Sequence, residues 1–128
     1  MVSHNEIIRL REDQEFRDRV LALATKLSDL TGINPTKILS RDRTKRVSEA
    51  RAMIAFTLRN AGFGFTQIGK ILDRDHSTII YHVDTLTKRC TDPSFTDINL
   101  KRNLRFLRDY NDKLTETWIA NTLSGPAI

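Results

Sequence analysis

Only one cysteine, Cys90, occurs in the 128 residues, so no intramolecular disulfide can form and nothing in the thiol content points to an oxidising compartment. Long apolar runs are missing as well. None approaches the roughly 20 residues needed to span a bilayer, and the start of the chain has no signal-peptide pattern. A cytoplasmic protein is the resulting expectation, with no membrane partner. No stretch alternates apolar and polar residues over the length of a strand, and no hairpin dipeptide occurs, so strands are not expected. Internal repeats and low-complexity tracts are absent too.

Site chemistry is thin in the same way. His76, His82 and Cys90 lack the paired spacing of a zinc site, so no metal and no cofactor is expected. Asp75, His76 and Ser77 are the residue types of a hydrolase triad, but consecutive helical residues point about 100° apart. They cannot align nucleophile, base and orienting carboxylate, and no enzyme activity is expected. The basic residues have no accompanying apolar face that would lay them on a membrane surface.

What is present is positive charge in one place. The chain carries a formal +5 and a sequence pI of about 9.7, which makes an anionic partner plausible. Seven basic residues (Lys37, Arg41, Arg43, Lys45, Arg46, Arg51, Arg59) stand against Asp42 and Glu49 between positions 37 and 59, a surplus equal to that of the whole chain. A solvated basic loop would look the same on charge alone.

Hydrophobic content of 39% and charged content of 29% fit one soluble globular domain with a modest core. Its periodicity is helical throughout. Residues 1 to about 12 can be frayed or helical. From Asp13, the residues Phe16, Val20, Leu23, Leu27 and Leu30 recur by fours and threes, with Arg17, Arg19, Lys26 and Asp29 largely outside. Gly32 suits a left-handed cap, and Asn34-Pro35 reads as an N-cap followed by proline at the first helical position of a short helix burying Ile38 and Leu39. Ser40 to Arg46 is a basic loop. Ser48 is the next candidate cap, for a helix burying Met53, Ile54, Phe56, Leu58 and Ala61. Phe63 and Phe65 bracket a glycine and are expected to pin that turn into the core. After Thr91-Asp92-Pro93-Ser94 a last helix, from about 94 to 120, presents Leu100, Leu104, Leu107, Leu114 and Trp118 with Asn111 interrupting. The final Leu-Ser-Gly-Pro-Ala-Ile reads as loose.

Between these lies the stretch from Phe65 to Lys88. It reads as two short helices joined by a tight polar turn, the outline of a helix-turn-helix. Thr66 can cap the first helix, which turns Ile68, Ile71 and Leu72 inward. Asp73-Arg74-Asp75 breaks it, because short polar side chains compete with the helical backbone. The second helix carries Ile79, Val83 and Leu86 on one stripe and opens on Asp75-His76-Ser77-Thr78. A helix entering a DNA major groove buries such a stripe and offers its first turn to base edges. An ordinary capped helix gives the same pattern.

Taken with the basic loop, residues from about Leu27 to Lys88 resemble the C-terminal DNA-binding domain of the bacterial chromosomal replication initiator DnaA. Arg74-Asp75-His76-Ser77-Thr78 is similar to that family's Arg-Asp-His-(Ser/Thr)-Thr signature at the start of its recognition helix. Thr66-Gln67-Ile68-Gly69 stands where the family has Pro-Glu-Ile-Gly. Val47-Ser48-Glu49-Ala50-Arg51-Ala52-Met53 follows a basic loop as the family's Val-x-x-(Ala/Pro)-Arg-Gln-x does. Two departures stand out. These residues contain no G-x-x-x-x-G-K-(S/T) phosphate loop, so ATP-driven steps do not carry over. Where the family commonly has two glycines before Arg-Asp-His, this chain has only Asp73, a turn one residue shorter that is expected to rotate the recognition helix slightly.

The resemblance implies an all-α fold: a helix-turn-helix core of the DnaA C-terminal (Trp-repressor-like) type over about 27–90, with flanking helices over about 5–30 and 94–120. It also implies binding to a short asymmetric double-stranded DNA box. Asp75, His76, Ser77 and Thr78 would face bases and nearby phosphates in the major groove, Arg43 would enter the adjacent minor groove, and Arg51 and Arg59 fall at positions that touch bases or backbone. The chemistry agrees. His76 can donate to guanine or pack on a thymine methyl, Ser77 or Thr78 supplies hydroxyl and methyl contacts, and Asp75 can accept from a cytosine amine or cap its helix. Lys45, Arg46, Lys70, Arg74 and Lys88 are candidate phosphate contacts, as are Thr66 and the amides behind it. His82 is expected partly exposed and Tyr81 at the rim. The function expected is an accessory or regulator of replication, with transcriptional regulation as the alternative. A further alternative is a protein-interaction module, or a homodimer, working through the terminal helices.

Overall fold

The computed structural model describes residues 3–123, with side chains as far as position 120. The loose end expected from position 123 lies, beyond the helical backbone of Leu123, outside the described residues. The described chain is all helical: α1 (His4–Thr31), α2 (Pro35–Ile38), α3 (Lys45–Asn60), α4 (Phe65–Leu72), α5 (His76–Thr91) and α6 (Ile98–Leu123).

The start of the chain, left open between frayed and helical, is helical because Ser3 and Glu6 form a reciprocal capping box, with the Glu6 amide donating to Ser3 Oγ at 3.2 Å. Phe16, Val20, Leu23, Ala24 and Leu27 bury one stripe of α1. Gly32, at φ 76°, then closes the helix by returning its amide to the Ser28 carbonyl at 2.8 Å. Asn34 caps α2 through the Thr36 amide, with Pro35 leading as the sequence suggests.

α3 is the axle of the molecule and packs against the other five helices. Val47, Met53, Ile54 and Leu58 fill its core faces, and the small side chains of Ala50, Ala52 and Ala55, all buried, let neighbouring helices approach on several sides. Two expectations fail here. Thr44, not Ser48, holds the cap position, so Lys45 and Arg46 belong to the helix and not to the loop. Ala61 is exposed at the C-terminal end, because the helix ends one residue before it.

Ile68 and Leu72 of α4 and Ile79, Val83 and Leu86 of α5 meet α3 in the same core, with Ile71 only partly buried. Phe63 is pinned as expected: its ring lies 4.8 Å from that of Phe16. α6 runs antiparallel to α1, since Arg19 reaches Asn111 and Thr115 while Lys26 lies over the Tyr110 ring. Leu100, Leu104 and Leu107 are buried, but Trp118 is 43% exposed, so the expected core stripe stops short of it. The interruption at Asn111 is a buried polar contact: its side-chain oxygen accepts from Arg19 Nη1 at 2.6 Å. Arg19 is accordingly drawn inward, against the expectation that it lies outside.

Candidate nucleic-acid interface

The turn joining α4 to α5 is built from three constraints. Asp73 takes a left-handed conformation at φ 52°, unusual for a side-chain-bearing residue and commonest for Asn, Asp and His. The Arg74 amide donates back to the Gly69 carbonyl at 2.8 Å. Gly69 itself has no room for a side chain, since a Cβ there would stand 2.7 Å from the Arg74 carbonyl oxygen. Together these bring α5 close over α4 and turn its first residues outward.

Asp75 closes the turn as the N-cap of α5. Its carboxylate accepts from the Ser77 hydroxyl at 2.6 Å and the Ser77 amide at 2.8 Å, and those two hydrogen bonds hold its pKa below the usual carboxylate range. Of the two roles open to Asp75, the cap is the one occupied. His76 and Ser77 are exposed, Thr78 is partly buried, and His76 Nδ1 lies 3.7 Å from the Asp75 carboxylate. Thr66 does not cap α4: Gly64 holds that position with no side-chain hydrogen bond, and Thr66 is exposed on the first turn.

Beside this turn runs the loop over 39–44. It is wired internally, with the Ser40 hydroxyl accepting from the Asp42 amide (3.1 Å) and Asp42 accepting from the Thr44 amide and hydroxyl (both 2.7 Å). Arg51 is 2% exposed and donates to the carbonyls of Ile38 (3.1 Å), Ser40 (2.7 Å) and Asp42 (2.9 Å). The expectation that Arg51 reads bases is therefore corrected: its fork is spent on backbone carbonyls that no helix satisfies. Arg74 donates to the Ser40 carbonyl as well, at 3.0 Å, and to Asp73 O at 2.8 Å. Arg41 forms a forked pair with the Asp73 carboxylate at 2.6 and 2.9 Å. Arg43, two residues on, is exposed and makes no hydrogen bond or ion pair among the described residues.

The other basic candidates divide the same way. Lys45 and Lys70 are exposed without a described partner. Arg46 donates to the Thr31 carbonyl at the end of α1, Arg59 stacks 4.0 Å over the Phe65 ring and donates to Phe63 O, and Lys88 pairs with Asp84 at 2.9 Å. His82 is partly buried. Burial first, and the nearby Arg51 and Arg74 guanidiniums second, push its pKa below the ordinary imidazole value.

Sequence reasoning missed Arg41, Asp73 and the Ser40 carbonyl as parts of this site. Asp73 alone left a trace, as the sole residue in a turn that elsewhere uses glycine. The arrangement as a whole is a cation-rich arm fixed beside an outward-facing helical first turn.

Comparison with known proteins agrees on the fold. The profile of the family described as bacterial dnaA protein helix-turn-helix matches residues 22–86. A crystal structure described as a DNA replication initiation factor superposes with a TM-score of 0.66 at 23% identity, covering 81% of this chain and 32% of that one. This chain thus spans about a third of that protein's length. No curated protein matches.

Proposed function

The chain belongs to the family of bacterial DnaA helix-turn-helix domains, and on that premise we propose that it is a sequence-specific double-stranded DNA-binding module. The carrying observation is the exposed opening turn of α5 lying beside the pinned loop that bears Arg43. His76, Ser77 and Thr78 read base edges in the major groove, where each of the four base pairs presents a distinct pattern of donors, acceptors and methyl groups. Arg43 enters the neighbouring minor groove. A narrow A·T-rich groove concentrates negative potential and holds a guanidinium best. Lys45, Lys70 and the first-turn amides of α4, which no side chain caps, sit on phosphates and set the register.

The role we propose for it is that of an origin-binding accessory or regulator of replication, since these residues supply a grip on duplex DNA within a fold family described by its bacterial dnaA membership. Action at promoters would use the same interface. Selection of bound sequences from a random duplex pool tests the reading. A short asymmetric box with an A·T-rich end is expected to enrich. A pool that stays random after several rounds overturns it.

One observation favours a protein partner in addition. Ile7, Ile8 and Leu10 on α1 and Ile119 on α6 are all more than 40% exposed, on the parts of these helices that leave the core. Light scattering after size exclusion distinguishes a homodimer built on these faces from a monomer.

A further inference from the structure

We propose that Arg74 and Asp73 are positioning residues that lock the Arg43 arm at a fixed offset from the recognition helix, so that the two groove contacts act as one rigid reader. The inference rests on the DNA-binding reading above and assigns Arg74 a task other than the phosphate contact its position suggests.

The geometry is unusually convergent. Two guanidiniums, from α3 and from the α4–α5 turn, share one acceptor: Arg51 Nη2 and Arg74 Nη2 lie 2.7 and 3.0 Å from the Ser40 carbonyl oxygen. Two like charges are brought together there because a carbonyl has two lone pairs and the loop has carbonyls to spare. Arg74 also holds the Asp73 carbonyl, so a single planar fork spans the loop and the turn. Arg41 then returns from the loop to the Asp73 carboxylate. The loop is thus tied to the turn in both directions, two residues and three residues before Arg43 and at most three residues before His76. Chain length alone keeps Arg43 within about 7 Å, Cα to Cα, of the tethered Arg41.

Asp73 adds an argument of its own. Glycine would take its left-handed conformation without strain, but it has no carboxylate to offer Arg41. A strained aspartate makes sense as the anchor of the tether. The exposed ion pair contributes little to overall stability, so its removal should loosen the arm without unfolding the domain.

Three variants of the full chain test this: Asp73→Asn, which keeps the shape and tolerates the left-handed conformation, Arg74→Lys, and Arg43→Ala. The first readout is amide hydrogen exchange and needs no DNA. Exchange over residues 40–44 should accelerate several-fold in Asp73→Asn and Arg74→Lys while global unfolding is unchanged in Asp73→Asn, and should stay at the wild-type rate in Arg43→Ala. Unaltered loop exchange in both anchor variants overturns the clamp, whether or not the protein binds any duplex. The second readout is binding to a selected box with an A·T or a G·C flank. Arg43→Ala abolishes the flank preference if the minor-groove reading holds. Arg74→Lys should then diminish the same preference, and the double variant should lose no more of it than Arg43→Ala alone. If Arg74→Lys keeps the full flank preference together with the wild-type salt dependence, Arg74 is a phosphate ligand that lysine replaces and the clamp is overturned. Altered loop exchange in a protein that selects no box would overturn the DNA reading and leave the tether standing as a structural device.

Discussion

Four side chains open α5, and their tasks follow from where their hydrogen bonds go. Asp75 and Ser77 are partly committed to each other as a cap, which leaves the His76 imidazole as the exposed group, its Nδ1 3.7 Å from the Asp75 carboxylate and its Nε2 without a partner among the described residues. Replacing His76 with alanine is expected to weaken binding to the selected box by about 1–3 kcal/mol and to relax the preference at one or two base pairs, with random duplex little affected. Titrations on both duplexes check this, and equal losses would contradict it. His82 makes a different kind of prediction. Its folded-state pKa is depressed by burial and by Arg51 and Arg74, so the unfolded chain binds that proton more readily. The stability this contributes is complete above about pH 6.5 and is lost as pH falls through the depressed folded value. Urea denaturation should show a decline from about pH 7 to 5 that is shallower in His82→Gln. A variant with the wild-type pH dependence would remove His82 from the account.

At the scale of elements, the helices were legible wherever burial follows a 3.6-residue period. Phe16, Val20, Leu23 and Leu27 announce α1, and Ile79, Val83 and Leu86 announce α5, because one face of each meets the same core. Caps were legible at Asn34 and Asp75, where a side chain completes them, missed at Ser3 in spite of its capping box, and illegible at Gly64 and Thr44, where no side chain completes them. Arg51 was misassigned because its partners are backbone carbonyls of a loop, which leave no mark on the sequence. The α4–α5 unit gives a prediction opposite to helix propensity. Alanine in place of a helical glycine usually stabilises by about 1 kcal/mol, but at Gly69 it drives a Cβ to 2.7 Å from the Arg74 carbonyl. Gly69→Ala should instead destabilise by about 1–3 kcal/mol in chemical denaturation and weaken box binding with it. The α1–α6 pair gives another. Leucine at Asn111 would complete an apolar stripe, yet it strips the Arg19 guanidinium of its shortest acceptor. A loss of about 1–3 kcal/mol is expected from the denaturation midpoint, and a gain would show that packing outweighs the partnered cation.

For the molecule as a whole, the charge surplus between Lys37 and Arg59 turns out to serve two ends. Arg46, Arg51 and Arg59 hold the protein together, and Arg43 and Lys45 face outward. Composition therefore overstated the number of charges available to an anionic partner, since it cannot separate a guanidinium spent on carbonyls from one left in water. The salt dependence of box binding measures the difference. Five to eight phosphate contacts correspond to a log–log slope of roughly −5 to −7. A slope near −2 would mean that most of the basic surplus is internal and that hydrogen bonds to bases carry the affinity.

α1 runs unbroken for 28 residues, from the Ser3 cap to Gly32, and its first three turns stand clear of the core. At 1.5 Å per residue that is a spar of roughly 40 Å whose far half is rooted against α2, α3 and α6. Whatever is mounted on its free half is held by a strut and not by a string. Its distance from the bound duplex is set by counting residues, and inserting or deleting a single one would swing it through about 100° around the shaft.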